Sequence, residues 1–291
     1  GMISIVGRPN VGKSTLTNAL VGEKIAIVTN KPQTTRNRIC AVVNREGCQF
    51  VFLDTPGLHK ARTRLGDYMV KVVKESVADV DAVLLLVEPI PHIGGPEAEL
   101  IRRIKELNVP AVLVINKIDT VEKEELLSVM QVYGAAHDFA AIVPISAKRN
   151  EGVDELLGLL AQFLPEGPQL FPEDMVTDQP ERQVCAEIIR EKLLLCLDKE
   201  IPHGTAVEIT TFSERDDGII DLDATIYCEK ASHKGIIIGK GGAMLKKIST
   251  LARTDIEAFM GTKVFLQTWV KVKENWRDNM NLIKNFGYRD E

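Results

Sequence analysis

The sequence predicts an α/β fold, a doubly wound and mostly parallel sheet, followed by a smaller α+β domain. Three observations predict it: buried-type strands alternating with helical segments, a crowd of prolines past the middle, and a different element order beyond them. At 291 residues the chain is longer than one core usually serves, so two domains are expected. The runs Met2 to Val6, Cys48 to Leu53, Ala82 to Val87, Ala111 to Ile115 and Ala141 to Pro144 are almost continuously apolar, which suits strands covered on both faces. Segments of helical period lie between them: Gly66 to Val77, Pro96 to Glu106, Glu122 to Tyr133 and Val153 to Phe163. Pro165, Gly167, Pro168, Pro172 and Pro180 then end helices and strands alike. Residues 167–180 are therefore expected to link a first domain, 1–166, to a second, 181–291. The second reads as helix (Gln183 to Lys199), strand (Thr205 to Phe212), strand (Ile219 to Cys228), short helix, helix (Ala243 to Met260) and strand (Thr262 to Val272).

Composition narrows the function classes. Five cysteines, an odd number with no C-x-x-C pair, argue against a zinc ribbon or a disulfide framework and for a reducing compartment, hence a cytoplasmic protein. No apolar run reaches the roughly 18 residues of a membrane span, and the start Gly1-Met2-Ile3-Ser4 lacks the pattern of a leader. A net charge of −5 argues against nucleic-acid binding by the whole surface.

Gly7-Arg8-Pro9-Asn10-Val11-Gly12-Lys13-Ser14 matches G-x-x-x-x-G-K-[ST] between a buried-type strand and a helix that starts at Thr15, the context a phosphate-binding P-loop requires. Its glycines let successive backbone N–H groups turn toward one anion at a helix N-terminus. Lys13 would reach the β- and γ-phosphates, and Ser14 would hold Mg2+. Asp54-Thr55-Pro56-Gly57 follows the apolar run Phe50 to Leu53, which puts a carboxylate at the strand end where ligands sit in such sheets. There Asp54 would hold magnesium through water and the Gly57 N–H would meet the γ-phosphate, although a D-x-P-G turn is common on its own.

Asn116-Lys117-Ile118-Asp119 also follows a strand. A carboxylate at Asp119 accepts from guanine N1–H and the exocyclic amine together, whereas adenine offers neither donor and leaves the acid unpaired. Ser146-Ala147-Lys148 follows the last strand, and the Ala147 N–H is expected to bond guanine O6. Four elements in fixed order, each at a strand end, are more specific than any one of them.

Together they resemble the TRAFAC GTPases, and the runs GRPNVGKST, PQTTR and DTPGLH resemble the Era-like branch in particular. The resemblance covers nearly the whole chain. It implies a GTP-hydrolysing, GDP-releasing switch whose first switch is Lys31 to Arg36, with Thr34 and Thr35 as candidate magnesium ligands and Thr35 favoured. Lys13, Thr35, Asp54 and Gly57 are then the catalytic set. The position where Ras-like enzymes carry a water-orienting glutamine is Leu58, so intrinsic hydrolysis is expected to be slow. The resemblance implies that relatives with an apolar residue here place the water by other means, and that Asn10 can mark potassium coordination. His59 is expected to be an exposed switch residue rather than a base.

From Lys230 to Lys273, nine Lys or Arg face only Asp255 and Glu257, a basic segment in an acidic chain. Within it Ile238-Gly239-Lys240-Gly241-Gly242 opens the amphipathic helix carrying Leu245, Ile248, Ala252, Ile256 and Phe259 on one side. G-x-x-G alone is uninformative. Placed in an α-β-β-α-α-β order it resembles a type II KH domain, whose loop clamps single-stranded nucleic acid, with Lys240, Lys246 and Lys247 on phosphates. On the final strand, Phe265 and Trp269 could stack on bases, but packing against a helix is the commoner use of aromatics there. The resemblance further implies the 3′ end of small-subunit ribosomal RNA as ligand, the 30S subunit as the assembly served, a monomeric chain and loose contact with the inner face of the membrane. A scaffold that binds RNA and uses nucleotide only to stiffen itself is the rival reading.

Overall fold

The structure, a computed structural model, describes residues 1–288 other than 46, 59 and 60. Among the described residues two compact units emerge: those of 1–26, 35–61 and 68–178 form the first, and those of 27–34, 62–67 and 179–288 the second. His59 lies outside the described residues.

In the first unit, β1 (Met2–Gly7) leads into α1 (Lys13–Val21), and β2 (Ile39–Arg45) and β3 (Cys48–Asp54) follow. After them come α2 (Arg64–Glu75, its first residues in the second unit), β4 (Ala82–Val87), α3 (Gly95–Leu107), β5 (Ala111–Ile115), α4 (Lys123–Ala136), β6 (Ala141–Pro144) and α5 (Val153–Leu160). The sheet order is β2-β3-β1-β4-β5-β6, parallel except where β2 runs antiparallel to β3. Side chains alternate along each strand. Hence Ile3, Ile5, Leu84 and Leu86 meet α1 and α5 on one face, while Val6, Val83 and Leu85 meet α3 and α4 on the other. Both faces are buried, which is why these strands read as unbroken apolar runs.

The stretch expected as a linker is largely part of this unit. Val42 N–H donates to the Val176 carbonyl (2.9 Å), Thr177 pairs with Ala41, and the Gln49 side chain accepts from the Leu170 and Phe171 N–H groups. An edge strand has a row of unpaired backbone groups, and residues 170–177 cover that of β2.

The second unit contains α6 (Glu181–Cys196), β7 (Ala206–Glu214), β8 (Ile220–Cys228), α7 (Ala231–Ile238), α8 (Ala243–Met260), β9 (Val264–Val272) and α9 (Met280–Asn285). β8 is the central strand, antiparallel to β7 and parallel to β9. Val184 and Ile188 of α6 join Ile248, Ala252 and Ile256 of α8 over one face of the sheet, the α8 face expected from the sequence. On the other face the chain end folds back. Trp276 is fully buried, donates Nε1–H to the Gly204 carbonyl (2.8 Å) and meets Phe286 edge-on. Among the described residues no helix is long and apolar enough to cross a membrane.

Candidate functional site

Every predicted motif of the first unit sits at the C-terminal ends of its strands. Gly7 closes β1, Asp54 closes β3, Asn116 follows β5, and Ser146 comes two residues after β6. In the turn after β1, Gly12 has φ +100°, and a Cβ there would lie 2.2 Å from Asn116 Nδ2. Only glycine tolerates both the left-handed backbone and that approach. Asn10 also has positive φ, at 65°. Val11 is buried and anchors the turn from below, while Thr15 is half-buried on α1.

Lys13 lies inside the turn and donates to the carbonyls of Gly7 (3.2 Å) and Arg8 (2.8 Å). Burial lowers its pKa to about 8 despite the nearby Asp54 carboxylate. Asp54 is pushed the opposite way, up to about 6, because burial outweighs the attraction of Lys13 and the hydrogen bonds from Ser14 and Thr55. Ser14 Oγ donates to Asp54 Oδ2 (2.8 Å) and is paired with Thr35 Oγ1 (2.9 Å). Three oxygens from three separate segments thus meet beside the phosphate turn, and buried Asp54 Oδ1 has no hydrogen-bond partner among the described residues. A hard-oxygen set with one buried carboxylate oxygen to spare fits Mg2+, which keeps waters and takes few protein ligands beside phosphate.

Of the two candidate threonines, Thr35 reaches this cluster. The Thr34 hydroxyl instead bonds Thr29 Oγ1 (2.7 Å) and the Lys31 carbonyl (2.6 Å). Thr55 Oγ1 donates to the Ile5 carbonyl (2.8 Å) and braces the strand end. Past Pro56 and Gly57, Leu58 N–H donates to the Gly7 carbonyl (3.1 Å) and its side chain is buried in the core.

At the far end of the site, Asn116 ties two loops together. Its Nδ2 donates to the Val11 carbonyl (2.8 Å) and its Oδ1 accepts from the Ala147 N–H (3.0 Å). The amide expected to face guanine O6 is therefore engaged with a side chain. Lys117 Nζ spans the Asn10 carbonyl (2.6 Å) and Glu88 Oε1 (2.5 Å). Asp119 accepts from Ser146 Oγ (2.8 Å), and that bond holds its carboxyl below the usual range, keeping it the charged acceptor guanine needs. Lys148 is exposed next to this loop.

Three contributors carry no sequence signal. Asn18 accepts from the Ile25 and Ala26 N–H groups (3.0 and 2.9 Å) and donates to the Ala26 carbonyl (2.8 Å), fixing the chain just before the first switch. Glu88 holds Lys117, and Glu97, 3.5 Å from Arg8, holds the phosphate turn from α3. Single Asn or Glu residues in loops and on amphipathic helices form no motif that would reveal these pairings.

In the second unit the G-x-x-G turn lies between α7 and α8. Gly239 has φ +74°, and a Cβ there would meet the Met244 backbone N at 2.9 Å. Ile238 is half-buried beneath the turn, and Gly241 and Gly242 present backbone at its surface. Lys240, Lys246 and Lys247 are exposed at or near the start of α8, where a helix N-terminus also favours phosphate. Phe265 and Trp269 do not pack under a helix. They remain 48% and 46% exposed, with the Arg215 guanidinium 5.3 Å from the Phe265 ring centre. The helices α6 and α8 occupy the opposite face of the sheet, and the chain end meets this face around Tyr227.

Comparison with known proteins follows the same division. Residues 2–117 match the 50S ribosome-binding GTPase family, and residues 200–277 match the KH domain family. The GTPase Era of Ruminiclostridium cellulolyticum is 53% identical over 99% of this chain and 97% of its own length, and that of Clostridium kluyveri is 51% identical over 99% of both chains. Two solved structures superpose on the whole chain at 38% identity, each over 99% of its own length. One is a tyrosine-to-alanine variant of Aquifex aeolicus Era bound to GDP·AlF4− (TM-score 0.96), the other Era with MgGDPNP and nucleotides 1506–1542 of 16S ribosomal RNA (TM-score 0.95).

Proposed function

The chain belongs to the Era family of GTPases, and on that premise we propose that it is a GTP-hydrolysing switch whose KH domain binds the 3′ end of 16S ribosomal RNA. The observation that carries this reading is the meeting of Ser14, Thr35 and Asp54 beside the phosphate turn, since it joins a switch threonine to a magnesium cradle. Lys13 and the turn amides would hold the β- and γ-phosphates and offset charge that builds on the leaving oxygens. Ser14 and Thr35 would hold Mg2+ directly and Asp54 through water, and the ion would supply positive charge to offset that of the phosphates. Asn116 keeps the phosphate turn and the Ala147 loop in register, and Asp119 selects guanine. Gly239 to Gly242 would clamp RNA backbone with Lys240, Lys246 and Lys247 neutralising phosphates.

Finer parts of the same proposal are K+ coordination at Asn10 to compensate for Leu58, service in 30S subunit assembly, a monomeric cytoplasmic chain, and peripheral contact with the membrane. Single-turnover GTP hydrolysis with and without the RNA fragment tests the reading. It expects slow hydrolysis, accelerated by the RNA in the wild type and not in Gly241→Asp. A pure RNA-binding scaffold would hydrolyse in neither condition. Equal rates in potassium and sodium buffers would remove the K+ component alone.

A further inference from the structure

Residues 27–34, which include the first four residues of the switch, fold with the second unit; Arg190 and Glu191 of α6 hold them, and Lys31 reaches the Leu197 carbonyl and Asp198 just past that helix. Arg190 is 1% exposed; its guanidinium donates to the Gln33 carbonyl (3.3 Å) and to the Thr34 carbonyl, and pairs with Glu187 (2.6 Å). Glu191, 2% exposed, accepts the Val28 N–H on Oε2 (2.9 Å). The same carboxylate pairs through Oε1 with Lys192 (2.8 Å), which also pairs with Asp255 of α8, the helix opened by the G-x-x-G turn. Neighbouring positions on a helix point roughly 100° apart, so one short run can grip the switch on one side and α8 on another.

A buried cation needs its acceptors, and two of those serving Arg190 are main-chain carbonyls of the switch. One of them belongs to Gln33, held at φ 58°, a conformation costly for a residue with a Cβ. The other belongs to Thr34, joined by one peptide bond to Thr35, which meets Ser14 in the magnesium cluster. If Gln33 and Thr34 left α6, Arg190 would lose both acceptors, so the buried cation favours the backbone conformation that immediately precedes Thr35.

We propose that Arg190 is a positioning residue that presets the first switch for Thr35 to ligate magnesium, and that Glu191, Lys192 and Asp255 carry the same bias to the G-x-x-G helix. The inference rests on the GTPase reading above. Reciprocity then requires that bound RNA strengthen preference for triphosphate over diphosphate by the same factor that triphosphate strengthens RNA binding.

The test uses the full chain and compares affinity for Mg·GDPNP with Mg·GDP, each with and without the 16S fragment. Arg190→Ala is expected to lose about tenfold of the wild-type preference for GDPNP, with affinity for Mg·GDP and for RNA in the GDP state unchanged. In that variant RNA no longer shifts the preference. Arg190→Lys, which keeps charge but not the two-pronged geometry, recovers only part of it. Glu191→Gln, nearly isosteric, covers the case in which Arg190→Ala fails to fold, and is expected to weaken the preference about threefold. Wild-type preference retained within twofold in a folded Arg190→Ala, or in Glu191→Gln, overturns the proposal. A wild-type chain that binds neither nucleotide overturns the functional reading, and this inference with it.

Discussion

Asp54 pays for its place. It is fully buried, its pKa is about 6, and the ordinary value is 3.8, so the folded chain takes up a proton between those values that the unfolded chain does not. The burial cost is therefore fully present above pH 6, roughly 3 kcal/mol for a separation of that size, and is relieved as pH falls toward 4. A metal needs the carboxylate, so protons compete with Mg2+ below pH 6. The Mg2+ affinity of the GDP complex, measured beyond that of free GDP, is expected to be flat above about pH 7 and to fall about tenfold per pH unit below 6. A flat profile down to pH 5 would show that Asp54 does not serve the metal. Asp119 is set the other way, charged and held by Ser146. Asp119→Asn is expected to lose about a hundredfold or more in GTP affinity and to prefer XTP, whose C2 carbonyl accepts where guanine donates; competition binding checks this, and unchanged GTP affinity would remove the guanine assignment. Both aspartates are legible in the sequence because each follows an apolar strand. The division of labour between Thr34 and Thr35 is not, since adjacent hydroxyls differ only in where the folded loop points them.

Among the elements, the parallel strands and their helices are legible from unbroken apolar runs, but β2 is not. Strand–helix alternation leaves no slot for an antiparallel edge strand, and Ile39 to Val43 follows directly on a polar loop. Nor can spacing reveal that residues 170–177 cover the β2 edge, because prolines signal the end of regular structure without saying what the backbone meets next. The KH order is legible in full, its closing segment not at all. Trp276 buries its ring, its N–H is satisfied by Gly204, and Asn279 caps α9 by accepting from the Asn281 and Leu282 N–H groups. Trp276→Ala is expected to cost about 3–5 kcal/mol of stability in the second unit. Urea unfolding should then show RNA binding lost at lower denaturant while the guanine nucleotide affinity of the first unit persists. A variant with an unshifted midpoint would mean the chain end only rests on the sheet.

For the whole molecule, charge and fold are divided between the two halves of the sequence. In an acidic chain of net charge −5, the segment 230–273 that includes the G-x-x-G turn carries nine Lys or Arg against two acids, so its affinity for RNA should be local and salt-sensitive. The phosphate and purine ends of the nucleotide site come from distant parts of the sequence, with Asn10 and Lys117 107 residues apart, yet Lys117 and Asn116 bond directly to the phosphate turn. Under the proposed function, that coupling joins base recognition to phosphate binding in a single event. Calorimetry of the full chain with Mg2+ and either GDPNP or the matching ATP analogue measures that event most directly. The account predicts saturable uptake of GDPNP and an ATP-analogue affinity weaker by about 10⁴-fold or more. Equal affinity for the two, or no heat of binding with GDPNP, would contradict it.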